Sequence, residues 1–490
     1  MPGHRHPYEQ RILQPSRTAQ AESDRPSGPR AVARGLCALA ALLFAPRCAP
    51  GQHSGLRHHP ASIDLIVEVS AGNHPRDTTP LIAEIPASLL PQRPMHFTLT
   101  RIADGAAVPA QWMGPEIATL RKTAGSPTAH RRASTDRPSA TLCWILQRPL
   151  ASGSARRYRL RCFFGDAPHA PAAAARTPPP LRTVRKPPTL QVVQGNRTIL
   201  EYAIQRIPFP DRSRSFYDRS GEIHPVFTPQ GKRATDAFPP DHIHQTGIWL
   251  AWPKARYRGR LVDTWNKHRL LGRFDHARLL RHAGGPVLAH FTAERIHRVP
   301  ADDGTQPQGT APRWQPALRD RWDVFVFATP GVTLFDIVSR QRPVDETPFE
   351  VLQYHYGGMA IRGPRDWSDA SHCRLLNDRG DDRLAGNLQP THWAALQGDT
   401  RHGPLTIAVL SHPSNPRSPQ PVRIHPQMPY FCFAINAHRP LTISRTAPLV
   451  NHYRFAILDG TVPRERLQRL WQDFADPPDI TVHPAGQPSR

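Results

Sequence analysis

The densest group of residues able to carry acid–base or ligand-binding chemistry lies between Arg219 and Trp265. Within it, His242 and His244 are two residues apart in the segment Asp241-His-Ile-His. If this segment is extended, both imidazoles project to the same face, because side chains two apart in a strand share a side. Two imidazoles on one face suit either a metal site or a general acid and base, since histidine exchanges its proton near neutral pH. The alternative is that both only hydrogen-bond the surrounding loops.

A divalent metal is the first hypothesis for this pair of histidines. A transition-metal site needs at least a third ligand, and Asp241 is the nearest candidate along the chain. We therefore predict a metal site at Asp241, His242 and His244. Other third ligands by residue type are His224, Asp263 and His412.

Acid–base chemistry on a sugar is the second hypothesis. Tyr356 precedes two glycines whose backbone lets a ligand approach closely, although the glycines could equally build a tight strand corner. Arg362 can hold a carboxylate or stabilise an enolate. Under this hypothesis the catalytic residues are His242, His244, Tyr356 and Arg362.

Contacts to a sugar are predicted for aromatic and polar residues of the same region. Large rings suit the apolar faces of sugars, although a sandwich core needs them equally. The loop Asn415-Pro-Arg417 could face the site, with a plain turn as the alternative. The predicted substrate-binding residues are His224, Trp249, Trp252, Asp263, Trp265, Asn266, His412, Asn415 and Arg417.

Two blocks of short strands must position these residues. The first block, residues 60–165, has β-type runs with turn residues close to most of them, which predicts a small antiparallel β-sandwich. Its runs are Ile63–Val69, Leu81–Ile85, His96–Arg101, Ala140–Leu146 and Tyr158–Phe164. Residues 166–188 are rich in proline and alanine and are predicted to form a linker.

The second block, residues 189–478, is again mostly strand and is predicted to be a large antiparallel β-sandwich of the supersandwich-like type. Its run Val324–Phe327 is β-branched or aromatic throughout, as in a strand buried on both faces. Helical spacing of apolar residues appears at Pro463–Phe474, which predicts a C-terminal helix packed on a sheet. We predict a loop at Ala301–Ala317 and a disordered tail at residues 479–490.

The charge balance points away from nucleic acid once its composition is considered. The 490-residue chain has 63 Lys and Arg against 39 Asp and Glu, a formal net charge of +24. Only five of these cations are lysines, which leaves 58 arginines, and proline reaches 56. The arginines are scattered rather than arranged in a stripe, which favours compositional drift, so we expect no nucleic-acid partner. They could still help to capture an acidic polysaccharide.

Export is predicted from the N-terminal region. Leu36–Phe44 is a run of nine apolar residues that follows Arg30 and Arg34. This run is too short for a membrane span of about 20 residues, but it is typical of a signal-peptide core. We therefore predict a leader at residues 1–50, a periplasmic or secreted location, and no integral membrane segment.

The second block resembles the PmoA-like family of exported bacterial proteins, which is named after a methane oxygenase subunit. The resemblance is carried by Arg219–Asn266, Tyr356-Gly-Gly-Met with Arg362, Trp393, Ser411–Arg417 and the closing segment Tyr453–Gly460. The family pattern Asp-His-Pro-His-His-Arg-Gly is matched at Asp241, His242, His244 and Gly247. The sequence departs from it at Ile243, Gln245 and Thr246.

This resemblance implies a β-sandwich protein that occurs beside sugar-degrading enzymes. With the residue chemistry above, it predicts an exported protein that acts on a sugar or uronate as a lyase, hydrolase or epimerase. The expected partner is a carbohydrate, neutral or acidic, and the chemistry is histidine acid–base or metal-assisted. The alternative is a non-catalytic glycan-binding or scaffold protein, and a more distant one is the metal-dependent oxygenase that the family name suggests.

Overall fold

The computed structural model describes residues 62–90, 93–114, 117, 138–164, 178–301 and 312–486. The predicted leader at residues 1–50 and residues 166–177 of the predicted linker lie outside this described part of the chain. All described residues belong to one contact-defined unit, His59–Arg490. Among the helices in the described ranges, none is long and apolar enough to cross a membrane.

The first block forms a small sandwich of two antiparallel sheets. One sheet contains the order β1-β6-β3 and the other has the order β2-β5-β4. Along the first strand, Leu65, Val67 and Val69 are buried, because alternate side chains of a strand lie on opposite faces. The strands are β1 (Ser62–Ser70), β2 (Pro80–Pro86), β3 (His96–Arg101), β4 (Ala110–Met113), β5 (Pro138–Ile145) and β6 (Ala155–Phe163).

The rest of the described chain, nearly all of it in the second block, supplies the remaining strands and an α-helix. The strands are β7 (Leu181–Lys186), β8 (Thr189–Gln194), β9 (Arg197–Ala203), β10 (Ile223–Val226), β11 (Ile248–Ala251), β12 (Ala255–Tyr257), β13 (Arg260–Val262), β14 (Arg273–Ala283), β15 (Leu288–Pro300), β16 (Trp314–Phe327), β17 (Thr333–Pro343), β18 (Phe349–Val351), β19 (Gly358–Arg362), β20 (Cys373–Asn377), β21 (Pro390–Thr391), β22 (Trp393–Gly398), β23 (Leu405–Ser411), β24 (Gln420–Ile424), β25 (Tyr430–Phe433), β26 (Leu441–Ile443), β27 (Leu449–Asp459) and β28 (Asp479–Pro484). The helix α1 (Arg464–Ala475) follows β27, and short 3-10 turns lie at Arg212–Tyr217, Lys267–Arg269, Arg365–Trp367 and Ala370–His372.

Two large sheets of this block face each other across the main core. A nine-stranded sheet has the order β21-β24-β25-β19-β11-β10-β9-β8-β7, and an eight-stranded sheet has the order β14-β15-β16-β17-β27-β23-β22-β20. A four-stranded sheet, β13-β12-β18-β26, completes the block. Ile248 of the first sheet and Val324 and Val326 of the second pack into this core. Phe325 and Phe327 pack on the opposite face, against α1 and the sheet β2-β5-β4.

The predicted fold class is confirmed, since the chain is mainly β with a sandwich-like large domain and a C-terminal helix. The strand at Val324–Phe327 is buried on both faces, as its composition predicts. The predicted helix is present because Leu467, Leu470 and Phe474 share one helical face and pack on the eight-stranded sheet.

Three predicted boundaries are wrong. Leu181–Lys186 lies in the predicted linker but pairs with β8 as an edge strand. Asp479–Pro484 lies in the predicted disordered tail but pairs with β1, because Ile480 and Val482 pack against the small sandwich core. The predicted loop ends before Trp314, where β16 begins and pairs with β15. β7 and β16 are ordered by pairing with strands that neighbour them in sequence, whereas β28 is ordered by pairing with the distant β1.

Candidate functional site

The outer face of the nine-stranded sheet carries a second group of aromatic side chains. Alternation along β11 and β25 sends Trp249 and Tyr430 to this face, while their neighbours Ile248 and Phe431 face the core. The Trp249 and Tyr430 rings stack with centroids 5.8 Å apart, and Trp265 meets Trp249 edge-on at 5.0 Å. These buried rings support one side of a pocket.

This pocket has a volume of about 250 Å³. Because five of its lining residues are histidines, we call it the histidine pocket. Its volume is close to the lower end of the range for small-molecule sites, ~300–1,000 Å³. The lining residues are His242, His244, Gln245, Trp265, Asn266, His268, His355, Tyr356, Arg423, His425, Met428 and Tyr430.

The segment between β10 and β11 carries the two predicted histidines. It is not extended, which corrects the prediction from spacing. The backbone N–H of His242 donates to Pro239 O at 3.1 Å, and that of Gln245 donates to His242 O at 2.8 Å, so the chain turns twice. These turns still bring the His242 and His244 rings together, with centroids 5.6 Å apart.

Arg362 anchors both ends of the segment Asp241–Gln245 by hydrogen bonds. Its side chain is buried, and Nη1 donates to Gln245 Oε1 at 2.9 Å. Nη2 donates to both carboxylate oxygens of Asp241 at 2.9 Å. Arg362 does not line the histidine pocket, so its predicted catalytic role is corrected to the positioning of Asp241 and Gln245.

A turn after β13 presents Asn266 to the pocket. The buried Asp263 accepts the backbone N–H of Trp265 at 3.0 Å and that of Asn266 at 2.8 Å, which is an Asx-type turn. The Asn266 amide nitrogen donates to Asp263 Oδ2 at 2.8 Å and to the Tyr356 hydroxyl at 3.0 Å. Asp263, predicted to bind substrate, therefore positions Asn266, which in turn orients Tyr356.

Burial lowers the pKa of all five pocket histidines below the usual value of 6.5. For His244 burial and the neighbouring His242 and His268 lower the pKa to about 3. For His425 burial and the nearby Arg423 lower the pKa to about 4. At neutral pH each imidazole is therefore uncharged and has one donor and one acceptor nitrogen.

Two histidines have distinct hydrogen-bonding roles. His425 Nδ1 accepts the backbone N–H groups of Gln427 and Met428 at 3.2 and 3.1 Å, so its neutral ring carries the proton on Nε2. His242 Nδ1 lies 3.9 Å from Asp241 Oδ2, and it is a buried atom with no hydrogen-bond partner among the described residues. The Asp241 carboxylate raises the pKa of His242 against the larger effect of burial. His242 is therefore the ring whose protonated form a carboxylate can stabilise.

The lowered pKa of His244 makes the folded protein sensitive to acid. The unfolded chain binds a proton at this residue as the pH falls through 6.5, whereas the folded chain does so only near 3. Stability from this residue is thus present above pH 6.5 and is lost as the pH falls toward 3. The unfolding free energy of the wild type should fall between roughly pH 7 and pH 5, and in His244→Asn this fall should be smaller by about 2 kcal/mol. Urea titrations of both proteins at the two pH values measure it. An equal loss, or the same effect from His282→Asn at an exposed site on β14, would contradict the assignment.

The predicted metal site does not fit this geometry. Within the described ranges, no group of three or more His, Cys, Asp or Glu side chains is placed to hold a metal ion. Both oxygens of Asp241 accept from Arg362. The other proposed ligands, His224, Asp263 and His412, lie outside the pocket lining.

Several predicted substrate-binding residues lie outside the histidine pocket. Trp252 is buried in the main core, where its Nε1 donates to Gln341 Oε1 at 3.0 Å. Trp249 lies behind the pocket wall rather than in its lining. His224 lines a separate pocket. Of the predicted substrate-binding residues, the structure brings only Trp265 and Asn266 to the histidine pocket, with His242, His244 and Tyr356 from the predicted catalytic set.

The loop after β23 is also structural. His412 stacks on His452 with ring centroids 5.1 Å apart and meets Phe474 of α1 at 5.0 Å. The Asn415 amide donates to His452 O at 2.9 Å and accepts the His452 N–H at 2.6 Å. Arg417 donates to three backbone carbonyls, those of Ile435, Arg439 and Pro440. His412, Asn415 and Arg417, which were predicted to contact substrate, thus anchor this loop and do not line the histidine pocket.

Other lining residues were not predicted from the sequence. They are His268, His355, Arg423, His425, Met428, Tyr430 and Gln245. These residues come from four segments. The β24–β25 hairpin, which carries no recognisable sequence motif, supplies four of them, Arg423, His425, Met428 and Tyr430. Arg423 is the important omission, because it is the one lining residue within the described ranges that carries a charge at neutral pH.

Comparison with known families identifies the second block. The model of a family of unknown function, DUF6807, matches residues 189–472. The resemblance to the PmoA-like family is therefore wrong, because the matching family model is a different one. The oxygenase alternative depended on that family name and has no further support. No curated protein matches the sequence.

Solved structures give weak similarities. An α-mannosidase from Enterococcus faecalis V583 aligns with a TM-score of 0.40 and 7% identity, over 87% of this chain and 46% of the mannosidase. This chain thus spans less than half of the length of that enzyme. A proposed mutarotase (YeaD) from Salmonella typhimurium aligns with a TM-score of 0.27 and 9% identity, over 57% of this chain and 94% of that protein. Neither similarity is close enough to carry a functional argument.

Proposed function

The chain belongs to DUF6807, a family of unknown function, and we propose that it is a carbohydrate-active enzyme that removes a proton from a carbon of a sugar or uronate. The single observation that carries this proposal is the composition of the histidine pocket. Uncharged imidazoles, a tyrosine hydroxyl and two side-chain amides surround one cavity of about 250 Å³ beside aromatic rings. Export from the cytoplasm is part of the proposal and rests on the apolar run Leu36–Phe44.

A sugar ring matches this lining chemically. Its hydroxyl groups both donate and accept, as do neutral histidine, Asn266 and Gln245. Its apolar face suits the rings of Trp265 and Tyr430, which present hydrocarbon surface. Arg423 adds one positive charge that a uronate carboxylate would pair with.

Glycoside hydrolysis by paired carboxylates does not fit the pocket. That reaction uses two Asp or Glu side chains that flank the scissile bond. No Asp or Glu lines the histidine pocket in the part of the chain that the structure describes. Asp241 is bound to Arg362, and Asp263 accepts hydrogen bonds from Trp265 and Asn266. Of the three predicted reactions, elimination and epimerisation therefore remain.

His242 is the proposed general base. It is neutral at neutral pH, its side chain is 39% exposed, and Asp241 stands 3.9 Å away to stabilise the protonated ring. His244, whose pKa is about 3, is too weak a base and acts instead as a neutral hydrogen-bonding group.

Tyr356 is the proposed general acid. Burial raises the pKa of Tyr356, so the hydroxyl keeps its proton at neutral pH, and Asn266 orients it. In an elimination, His242 takes the proton on the carbon next to the uronate carboxylate and the electrons form a carbon–carbon double bond. The adjacent carbon–oxygen bond breaks, and the leaving oxygen takes the Tyr356 proton. In an epimerisation, Tyr356 returns a proton to the opposite face of the same carbon.

Arg423→Gln tests whether the substrate is a uronate. We expect the Kd for a galacturonate, glucuronate or mannuronate oligosaccharide to rise about tenfold or more, since a hydrogen bond to a charged group contributes roughly 1.5–3 kcal/mol. The Kd for the matching neutral oligosaccharide should not change. Calorimetric titration of both proteins with both sugars measures this. Equal weakening for the neutral and acidic sugars would contradict a carboxylate contact at Arg423.

A further inference from the structure

A second pocket lies beside the segment that carries His242 and His244. It has a volume of about 730 Å³ and includes His224, one of the predicted substrate-binding residues. One wall is the turn around Lys232 and Arg233, and the other contains Arg365 and Arg401. We call it the arginine pocket. None of its lining residues lines the histidine pocket.

The charges of the arginine pocket are mostly paired, with one exception. Arg365 donates to both carboxylate oxygens of Asp236, at 3.0 and 3.2 Å. Arg401 donates to Asp366 Oδ1 at 3.0 Å. Arg233 is exposed, and no acceptor within the described residues binds its guanidinium. An excess positive charge thus remains at Arg233.

Lys232 adds little to this excess. Its ammonium lies 3.6 Å from Asp459 Oδ1, which is outside the pocket lining, and it donates to Pro404 O at 3.1 Å. The excess charge of the pocket is therefore +1, and it matches a group with a single negative charge.

The two paired arginines also keep free donors. Nη1 of Arg365, which is paired with Asp236, and Nη1 of Arg401, which is paired with Asp366, contact no acceptor within the described residues.

A buried neutral donor or acceptor completes the pocket. His224 is 7% exposed, and its Nδ1 lies 2.9 Å from the Thr235 hydroxyl, which fixes the ring. Burial and the nearby Arg219 and Arg233 hold the pKa of His224 well below its usual value. The ring therefore does not add a charge at neutral pH, and its other nitrogen is left for a ligand.

We infer that the arginine pocket binds an oxyanion, the carboxylate or sulfate ester of an acidic saccharide, at a site distinct from the histidine pocket. Arginine presents its N–H groups in a planar fork that matches such oxyanions, and Arg233 supplies the unpaired charge. The identity of the carrier as a saccharide rests on the proposed function, whereas the binding of an oxyanion does not. The wide, polar lining suits a solvated group on a chain rather than an apolar ligand.

Calorimetric titration of the full chain with sodium sulfate and sodium acetate tests the inference. We expect at least one of these anions to bind, and Arg233→Ala to raise its Kd about tenfold or more. Arg342→Ala removes an exposed positive charge on β17 and should leave the Kd unchanged. Failure of both anions to bind, or an unchanged Kd in Arg233→Ala, would overturn the inference.

Two further arms separate this inference from the proposed function. The Kd values of a sulfated and a carboxylated oligosaccharide of equal length show which oxyanion the pocket prefers. Arg233→Ala should raise the Kd of the preferred oligosaccharide. His242→Ala should leave sulfate or acetate binding unchanged, because that residue is outside the arginine pocket. Anion binding that survives without any turnover would reject the enzyme and keep the oxyanion site. Loss of anion binding in His242→Ala would place the anion in the histidine pocket and reject the second site.

Discussion

Gly247→Ala is expected to destabilise the protein by about 3 kcal/mol or more, combining a strained backbone with overpacking. Gly247 has φ +55, and an added Cβ would lie 2.2 Å from Ile223 O and 2.6 Å from His224 Cβ. The residue ends the segment that carries His242, its N–H donates to Asp236 O at 2.8 Å, and its carbonyl accepts from Arg362 N at 2.9 Å. Urea unfolding followed by fluorescence measures the change.

Gly259→Ala is the matched control for this prediction. Gly259 also has a left-handed backbone, φ +75, but an added Cβ meets no atom within 4 Å. We expect the unfolding free energy of this variant to fall by only about 1 kcal/mol, because alanine at a positive φ strains the backbone but meets no other atom. If both alanine variants lose the same free energy, the close approach of β10 to Gly247 does not hold the segment in place. A folded Gly247→Ala protein should also bind sugar more weakly than Gly259→Ala.

His242→Ala is expected to lower kcat by about 10²–10⁴-fold, the usual contribution of a general base. The loss should be in turnover, because His242 is one of five histidines that line the pocket and the others remain to bind the sugar. Initial rates on a uronate oligosaccharide and calorimetric binding of the same sugar, compared between variant and wild type, measure the two effects.

His282→Ala is the control for the turnover prediction. His282 is exposed on β14 and lines neither pocket, so its loss should leave kcat unchanged. Tyr356→Phe, which removes only the hydroxyl, should lower kcat while retaining the ring. If His242→Ala weakens binding in proportion to any change in rate, or if the parent binds the sugar without turnover, the protein is a glycan-binding protein.

The strands could be predicted from sequence because their signal is local. The alternation in Ser62–Ser70 predicts that one face of that strand is buried. The uniformly apolar run Val324–Phe327 predicts a strand buried on both faces. By contrast, β7 follows a segment rich in proline and alanine and pairs with β8 across Pro187 and Pro188, and the short β28 pairs with the distant β1. The pairing of β28 depends on a long-range contact that its local sequence does not indicate.

The site was predicted only in part for a related reason. His242 and His244 are two residues apart in sequence, so their rings lie close together even though the segment turns instead of extending. Arg362 and Arg423 are equivalent by residue type, and only the fold decides that Arg362 is buried against Asp241 while Arg423 lines the pocket. His425 likewise reaches the pocket from a separate hairpin.

The most direct test of the account is to follow hydrogen exchange at carbon while the full chain acts in D₂O. The protein is incubated with uronate oligosaccharides and their neutral counterparts, and the sugars are examined by NMR and mass spectrometry. We predict deuterium at the carbon next to the carboxylate, or an unsaturated uronate product, with wild type and His282→Ala but not with His242→Ala. Binding of the uronate in the histidine pocket with neither exchange nor elimination would contradict proton abstraction as the function of this site.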